Sequence, residues 1–254
     1  MGSFGEVHFA LPFWYQLSSF VILGAIWGSF AAALCSRWLR GEQVSHGRSR
    51  CDACQTVLAV GDLVPVLSYM WLRGKCRYCG QGIGAGALYT ELTSAAMGLV
   101  AILMLPSEAA LAAAIFGWLL LPLMILDYQR LWLPNRLIWT LAGAGSLGGY
   151  FLLPDMVWTD RAFGGIFGYL CLEAIRQGFR KFRNVEGMGG GDPRLFGAIG
   201  IWLGWQFLPF TLLLACLVGF AHVAAAYVGD KRRVLHLPFG SYLCVAAYAL
   251  AVFG

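Results

Sequence analysis

The sequence predicts an all-α polytopic membrane protein with about eight transmembrane helices and a cytoplasmic zinc-binding loop. Three observations predict it. Of the 254 residues, 59% are hydrophobic and only 12% are charged, whereas an ordinary soluble domain carries roughly a quarter charged residues. The apolar residues gather into runs near the length a bilayer crossing needs, about 20 residues each. The basic residues fall almost entirely between alternate runs, as the positive-inside rule requires.

Eight runs can be drawn in order, at about 13–35, 84–105, 109–126, 136–153, 158–177, 193–206, 208–228 and 238–253. The first follows a polar start (Gly2, Ser3, Glu6) with no basic n-region or small-residue cleavage site, and reads as a retained helix rather than a removed signal. The sixth is short and suits a tilted or partly re-entrant segment buried in protein. Eight crossings place both termini on one side and the segments 36–83, 127–135, 178–192 and 229–237 on the other. Seventeen of the eighteen Lys and Arg residues belong to that second face or to the helix ends bordering it, and only Arg161 does not. That face is therefore cytoplasmic. The net charge of +5 reports topology, not nucleic-acid binding. The chain divides into a first transmembrane helix (1–35), a cytoplasmic loop (36–83) and a transmembrane domain (84–254).

The loop holds two CxxC pairs, Cys51/Cys54 and Cys76/Cys79, with twenty-one residues between them. Two such pairs close a tetrahedral four-thiolate zinc site, which has no open position and is structural, not catalytic. Arg50, Lys75 and Arg77 offset part of the negative charge of the thiolates. Paired disulfides are the alternative, but a cytoplasmic loop is reducing. Cys35, Cys171, Cys216 and Cys244 lie singly in apolar runs and read as small apolar residues.

Two carboxylates stand out in the rest of the chain. Asp192 closes the stretch Glu186-Gly187-Met188-Gly189-Gly190-Gly191-Asp192 at the mouth of a membrane segment, where an ionisable residue is a functional candidate. Glycines let backbone approach backbone closely, so Gly189, Gly190 and Gly191 are candidates for binding an extended peptide beside the acid. The plainer reading is that Asp192-Pro193 only caps a helix after a glycine turn. Asp127 ends the third run, at the same cytoplasmic depth. A salt bridge to Arg130 or Arg136 would explain it alone. Two carboxylates held close cannot both ionise easily and share a proton. In that state one takes a proton from water while the other donates to a carbonyl, which is aspartic-protease chemistry. Glu91, early in the second run, is a further candidate, whereas Glu173 in the fifth has no evident partner. The four histidines show no ligand spacing, and no serine lies in a nucleophile motif.

These motifs, in this order, resemble the type IV prepilin peptidase family, the bifunctional leader peptidase/N-methyltransferases of type IV pilus and type II secretion systems. The resemblance spans nearly the whole chain: Gly28-Ser29-Phe30, the two CxxC pairs with Val64-Pro65-Val66-Leu67-Ser68 and Leu72-Arg73-Gly74-Lys75-Cys76 between them, Glu91-Leu92, Asp127 with Leu133-Pro134-Asn135, the GxGD-type stretch ending at Asp192, and Leu237-Pro238-Phe239-Gly240. The chain departs from the family at Ala32, where Asn is usual, and at Pro193-Arg194, where an aromatic or aliphatic residue and then Lys are usual. The resemblance implies a bacterial inner-membrane aspartic endopeptidase with Asp127 and Asp192 as the catalytic pair. It also implies prepilin or pseudopilin substrates with a basic leader and a Gly-Phe junction, and membrane lipid around the helices. A second activity would methylate the new N-terminal residue using S-adenosylmethionine. No glycine-rich dinucleotide fingerprint is present for that cofactor. Two other classes fit parts of the pattern: a pseudoenzyme that keeps the fold as an assembly factor, and a transporter using the two aspartates. The transporter would hold its carboxylates near the bilayer midplane, whereas these lie at the ends of the runs.

Overall fold

The computed structural model describes residues 11–42, 49–51, 53–153, 156–183, 187–230 and 237–254. Glu6, His8, His46, Arg48, Asp52, Asp155, Glu186, His236 and the basic run Lys231-Arg232-Arg233 lie outside the described residues.

Each of the eight apolar runs forms a helix. In chain order these are α1 (Phe13–Leu39), a five-residue loop helix α2 (Leu67–Trp71), α3 (Gly86–Met104), α4 (Ser107–Arg130), α5 (Asn135–Leu152), α6 (Trp158–Arg183), α7 (Asp192–Leu203), α8 (Leu208–Asp230) and α9 (Phe239–Phe253). Among the described residues, α1, α3, α4 and the stretch Trp205–Val228 are long and apolar enough to cross a membrane by themselves, and α9 is apolar but shorter. At twelve residues, α7 spans only about 18 Å against a hydrocarbon core of about 30 Å. Apolar side chains such as Ile22 and Ile26 on α1, Ile166 and Leu170 on α6, and Leu213 and Leu217 on α8 face outward, as they do toward lipid rather than water.

The bundle is built around α4, the most deeply buried of the membrane-length helices. Its Phe116, Leu120 and Leu123 join Leu195, Ile199 and Leu243 in one core. Pro122 lies inside α4 and has no N–H, so it cannot bond the Trp118 carbonyl four residues back. The Trp27 indole of α1 donates to that carbonyl instead, at 2.6 Å. The proline thus becomes a docking point for the first helix. One residue of the Gly28-Ser29-Phe30 signature has a clear structural duty here: a Cβ at Gly28 would lie 2.6 Å from the Glu91 Cα, so α1 reaches α3 only through glycine. Trp202 of α7 stacks on Phe116 of α4, ring centroids 5.0 Å apart, and donates to the Leu141 carbonyl of α5 at 2.8 Å.

Arg161, the one basic residue that breaks the positive-inside pattern, is 2% exposed. Its guanidinium donates to the carbonyls of Gly149 and Leu153 at 2.9 and 3.0 Å, with Gly145 and Ile201 at 3.4 Å. The first two belong to the last turn and C-cap of α5, where each also accepts a backbone N–H (Leu153 N–H on Gly149, Met156 N–H on Leu153) and where a cation is favoured. Arg161 is therefore an internal helix cap rather than a topology signal. Arg161→Met is expected to cost about 3 kcal/mol by removing buried charge-assisted hydrogen bonds to these carbonyls. Arg161→Lys should recover only part of that, because an ammonium cannot match the planar fork. Thermal unfolding in detergent measures both.

Candidate active site and metal centre

Asp127 lies in the last turn of α4, which runs on to Arg130 and ends with Leu131 in the left-handed region at φ +52°. The side chain is buried (4% exposed). Its Oδ2 accepts from the Ser241 backbone N–H at 2.6 Å and from the Ser241 hydroxyl at 3.0 Å. Ser241 is the third residue of α9 and its N–H, shared with the Pro238 carbonyl at 3.1 Å, places the carboxylate at a helix N-terminus, where negative charge is stabilised. Neither Arg130 nor Arg136 is bonded to it in any ion pair among the described residues.

Asp192 is the first helical residue of α7, after Gly191 at the N-cap and before Pro193, and its carboxylate takes a backbone hydrogen bond from Gly189. Asp192-Pro193 thus does begin a helix after a glycine turn, with Gly191 rather than Asp192 at the cap. Its side chain is 5% exposed and lies within the electrostatic field of Asp127. One side chain connects the two acids. A Cβ at Gly191 would lie 2.7 Å from the Leu133 Cβ, and a Cβ at Gly240 would lie 2.9 Å from Leu133 Cδ1 and 3.0 Å from Asp127 Oδ2. Leu133 is wedged between the glycine before Asp192 and the glycine before Ser241.

The glycine stretch therefore has divided duties. Gly191 is filled from outside by Leu133. Gly189 lies beside its own neighbour, with Asp192 Oδ2 3.3 Å from where its Cβ would stand. Gly190 has open space apart from an Arg176 nitrogen 3.6 Å from that position. Arg176 itself forms a two-pronged pair with Glu173, at 2.9 and 2.8 Å, and Gln177 adds a third bond at 2.8 Å. These are the partners of Glu173 that the sequence did not reveal. Arg194, at one of the two departures, donates to Asn135 Oδ1 at 2.7 Å and so ties α7 to the Leu133-Pro134-Asn135 segment. Near Asp127, Tyr242 packs against Gly219, and its hydroxyl is 2.6 Å from His222 Nδ1. Ser241, Tyr242 and His222 were not singled out from sequence. Each is a lone polar residue in an apolar run, and only the packing of α9 on α4 and α8 gives it a partner.

Glu91 stands apart from the pair. Its Oε2 accepts the Val66 N–H at 2.8 Å, holding the cysteine loop to α3 at a residue with φ +60°. A cavity of about 980 Å³ beside it is lined by Glu91, Asp62, Arg77, Ile125 and Gln129 among others, and by neither aspartate. Ile125 and Gln129 flank Asp127 by two residues each, so they occupy the opposite face of α4.

The four loop cysteines converge, with all Sγ atoms within 4.8 Å of one another and Cys51 Sγ to Cys79 Sγ at 3.9 Å. A tetrahedral ion with metal–sulfur bonds of about 2.3 Å sets edges of about 3.8 Å, so the donor set fits a metal. Two matching knuckles supply it. Cys51 N–H bonds Thr56 O and Gln55 N–H bonds Cys51 O, and Cys76 N–H bonds Gln81 O and Gly80 N–H bonds Cys76 O in the same way. Gln55 and Gly80 both take positive φ, and Arg50↔Val57 and Lys75↔Gly82 close the two bases. Hydrogen bonds from Thr56 pull the Cys54 thiol down to about 6. Backbone N–H groups of Cys79 and Tyr78 lower Cys76. Arg77 joins the second knuckle to Asp62 at 2.8 Å.

A helical bundle with membrane-length segments, a buried carboxylate pair at two helix ends and a four-cysteine loop defines a class of integral membrane protein. The chain matches two family descriptions, Bacterial Peptidase A24 N-terminal domain over residues 22–105 and Type IV leader peptidase family over residues 114–224. It is 36% identical to a prepilin leader peptidase/N-methyltransferase of Aeromonas hydrophila, over 82% of this chain and 72% of that one. It is 35% identical to one from Burkholderia pseudomallei, over 96% and 88%, and 31% identical to one from Pectobacterium carotovorum, over 92% and 91%. No solved structure matches. The chain belongs to the type IV leader peptidase family and is a peptidase.

The Leu133 wedge makes a testable demand. Gly191→Ala and Gly240→Ala are each expected to lower peptidase activity at least tenfold, because displacing Leu133 moves an aspartate-bearing turn. Adding Leu133→Ala to Gly191→Ala should recover part of the loss, which a double-mutant cycle on cleavage rate measures.

Proposed function

We propose that this protein is an aspartic endopeptidase of the bacterial inner membrane that removes the basic leader from type IV prepilins or type II secretion pseudopilins, with Asp127 and Asp192 as its catalytic pair. The observation that supports this most is the burial of both acids at facing helix ends, joined through Leu133. On this reading, one carboxylate takes a proton from water as the water attacks the scissile carbonyl, and the other donates to that carbonyl. The substrate's apolar helix lies among the enzyme's helices in the bilayer, and its leader unwinds at the cytoplasmic interface. The backbone of Gly189 and Gly190 binds the extended strand, with Gly191 keeping the turn close to Leu133. Glu91 serves substrate through the neighbouring cavity and the loop it anchors.

The eight helices of the apolar runs are, on this proposal, eight crossings with both termini outside and the active site facing the cytoplasm. The chain then divides into a first helix (1–35), a cytoplasmic loop (36–83) and a catalytic domain (84–254). Cys51, Cys54, Cys76 and Cys79 hold a structural zinc that sets the fold of the loop. The relatives' names include N-methyltransferase, and we extend that second activity to this chain. S-adenosylmethionine would supply the methyl group for the newly exposed N-terminal residue.

Cleavage of a model prepilin by the purified protein, read by mass, tests the central assignment. Wild type should cut after the leader glycine and add one methyl when S-adenosylmethionine is present. Asp127→Asn and Asp192→Asn should each reduce cleavage by at least a thousandfold while remaining folded. Undiminished cleavage by either variant would remove that aspartate from the mechanism. Folded wild type that cuts no prepilin of its own genome would favour the assembly-factor reading.

Metal analysis is an independent check on the loop. One zinc per chain is expected, lost in Cys51→Ser or Cys76→Ser together with a lower melting temperature. Freshly purified protein without bound metal would contradict the zinc assignment.

A further inference from the structure

We infer that Ser241 is a positioning residue that fixes the division of labour in the pair: it holds Asp127 as the carboxylate that accepts the water proton, and so leaves Asp192 to carry the proton given to the scissile carbonyl. The inference rests on the dyad reading above.

Three geometric facts carry it. First, both donors from Ser241 meet the same oxygen, Asp127 Oδ2, through the N–H at 2.6 Å and the hydroxyl at 3.0 Å. Donors to a carboxylate favour its charged form. With Oδ2 engaged, Oδ1 is the oxygen left to meet water. Second, the Ser241 hydroxyl has one hydrogen but two acceptors, Oδ2 and the Met124 carbonyl at 2.9 Å. It can donate to the carboxylate while that is charged and to the carbonyl when Asp127 holds a proton. The N–H, fixed by the backbone and shared with the Pro238 carbonyl at 3.1 Å, cannot rotate in this way. Third, Asp192 has fewer donors. It begins α7 and takes one backbone hydrogen bond, from Gly189, against the two that Asp127 takes from Ser241. Of two acids at equal burial, the one with two donors is the better anion, and repulsion between the pair keeps the proton on the other.

The titratable groups around Asp127 are Asp192 from α7, Tyr242 and Cys244 from α9, and Tyr128 on its own helix. His222 of α8 reaches it through the Tyr242 hydroxyl. None of these donates to Oδ2 among the described hydrogen bonds.

The cycle closes in atoms and protons. Water oxygen bonds to the scissile carbonyl carbon as one water proton passes to Asp127 Oδ1 and the Asp192 proton passes to the carbonyl oxygen, giving a gem-diol. The carbon–nitrogen bond then breaks as the leaving amine takes the proton from Asp127. One gem-diol hydroxyl returns its proton to Asp192. The products are a carboxylic acid and an amine, and the pair is back in its starting state.

The experiment is the pH dependence of kcat/KM for prepilin cleavage in wild type, Ser241→Ala and Ser241→Thr, with melting temperature recorded for each. Loss of the hydroxyl should move the acidic limb up by about one pH unit, the scale of one hydrogen bond to a charged group. Activity on the acidic side then falls about tenfold, while the alkaline limb stays in place. Ser241→Thr keeps the hydroxyl and should restore the wild-type limb. A uniform drop across pH in Ser241→Ala, or movement of the alkaline limb alone, would overturn the assignment. If Ser241→Ala is unstable, Ser241→Cys, whose thiol is a weak donor, replaces it with the same expected shift. Failure here with Asp127→Asn and Asp192→Asn still inactive sinks only the role of Ser241. Active aspartate variants sink the dyad itself.

Discussion

Two carboxylates in an apolar interior are held there against a desolvation cost of several kcal/mol per charge, and the contacts around Asp127 and Asp192 bear on that cost. The N-terminal turn of α9 lies against Asp127, supplying an amide and a hydroxyl where a helix has amides to spare. Leu133 fills the gap between the turn that carries Asp192 and the turn whose Ser241 holds Asp127, and the glycines at 191 and 240 give it room. Arg194 and Asn135 then fasten α7 to the segment that bears Leu133. The pair is a product of three helix ends meeting, α4 by its C-terminus and α7 and α9 by their N-termini.

That arrangement explains why the sequence elements recur as short motifs far apart in the chain. The segment after Asp127 works through Leu133 and Asn135, both of which reach other elements. The first turn of α9 works through Gly240 and Ser241, the latter 114 residues from Asp127. The glycine stretch works partly as a packing surface. The acids also stand at helix ends, not in mid-helix, which suits an interface where a leader peptide can unwind better than it suits an ion path through the bilayer midplane.

Much of this was legible beforehand. Apolar runs gave all eight long helices, because a twenty-residue apolar segment has few other ways to satisfy its backbone. The CxxC pairs gave the four-cysteine cluster of the loop, and the two aspartates were readable as charges at the ends of apolar runs. Some features needed coordinates. The third run appeared to end at Asp127, but Tyr128, Gln129 and Arg130 continue the helix until Leu131 turns left-handed. Ser241 looked like any small polar residue in an apolar helix, since nothing local marks a side chain whose partner is on another helix. Arg161 looked like a topological exception, although it is an internal cap. The knuckle repeat was partly visible in the sequence, because Arg50-Cys51 and Lys75-Cys76 begin the two pairs alike.

The central claim is that Asp127 and Asp192 together bind the tetrahedral state of peptide hydrolysis. The most direct measurement is binding of a leader-junction peptide whose scissile carbonyl is replaced by a hydroxyl-bearing carbon, a mimic of the gem-diol. The account predicts that wild type binds this mimic at least a hundredfold more tightly than the matching uncleaved peptide. It predicts that Asp127→Asn and Asp192→Asn each lose that difference while still binding the ordinary peptide. Equal binding of the mimic by wild type and both variants would contradict it.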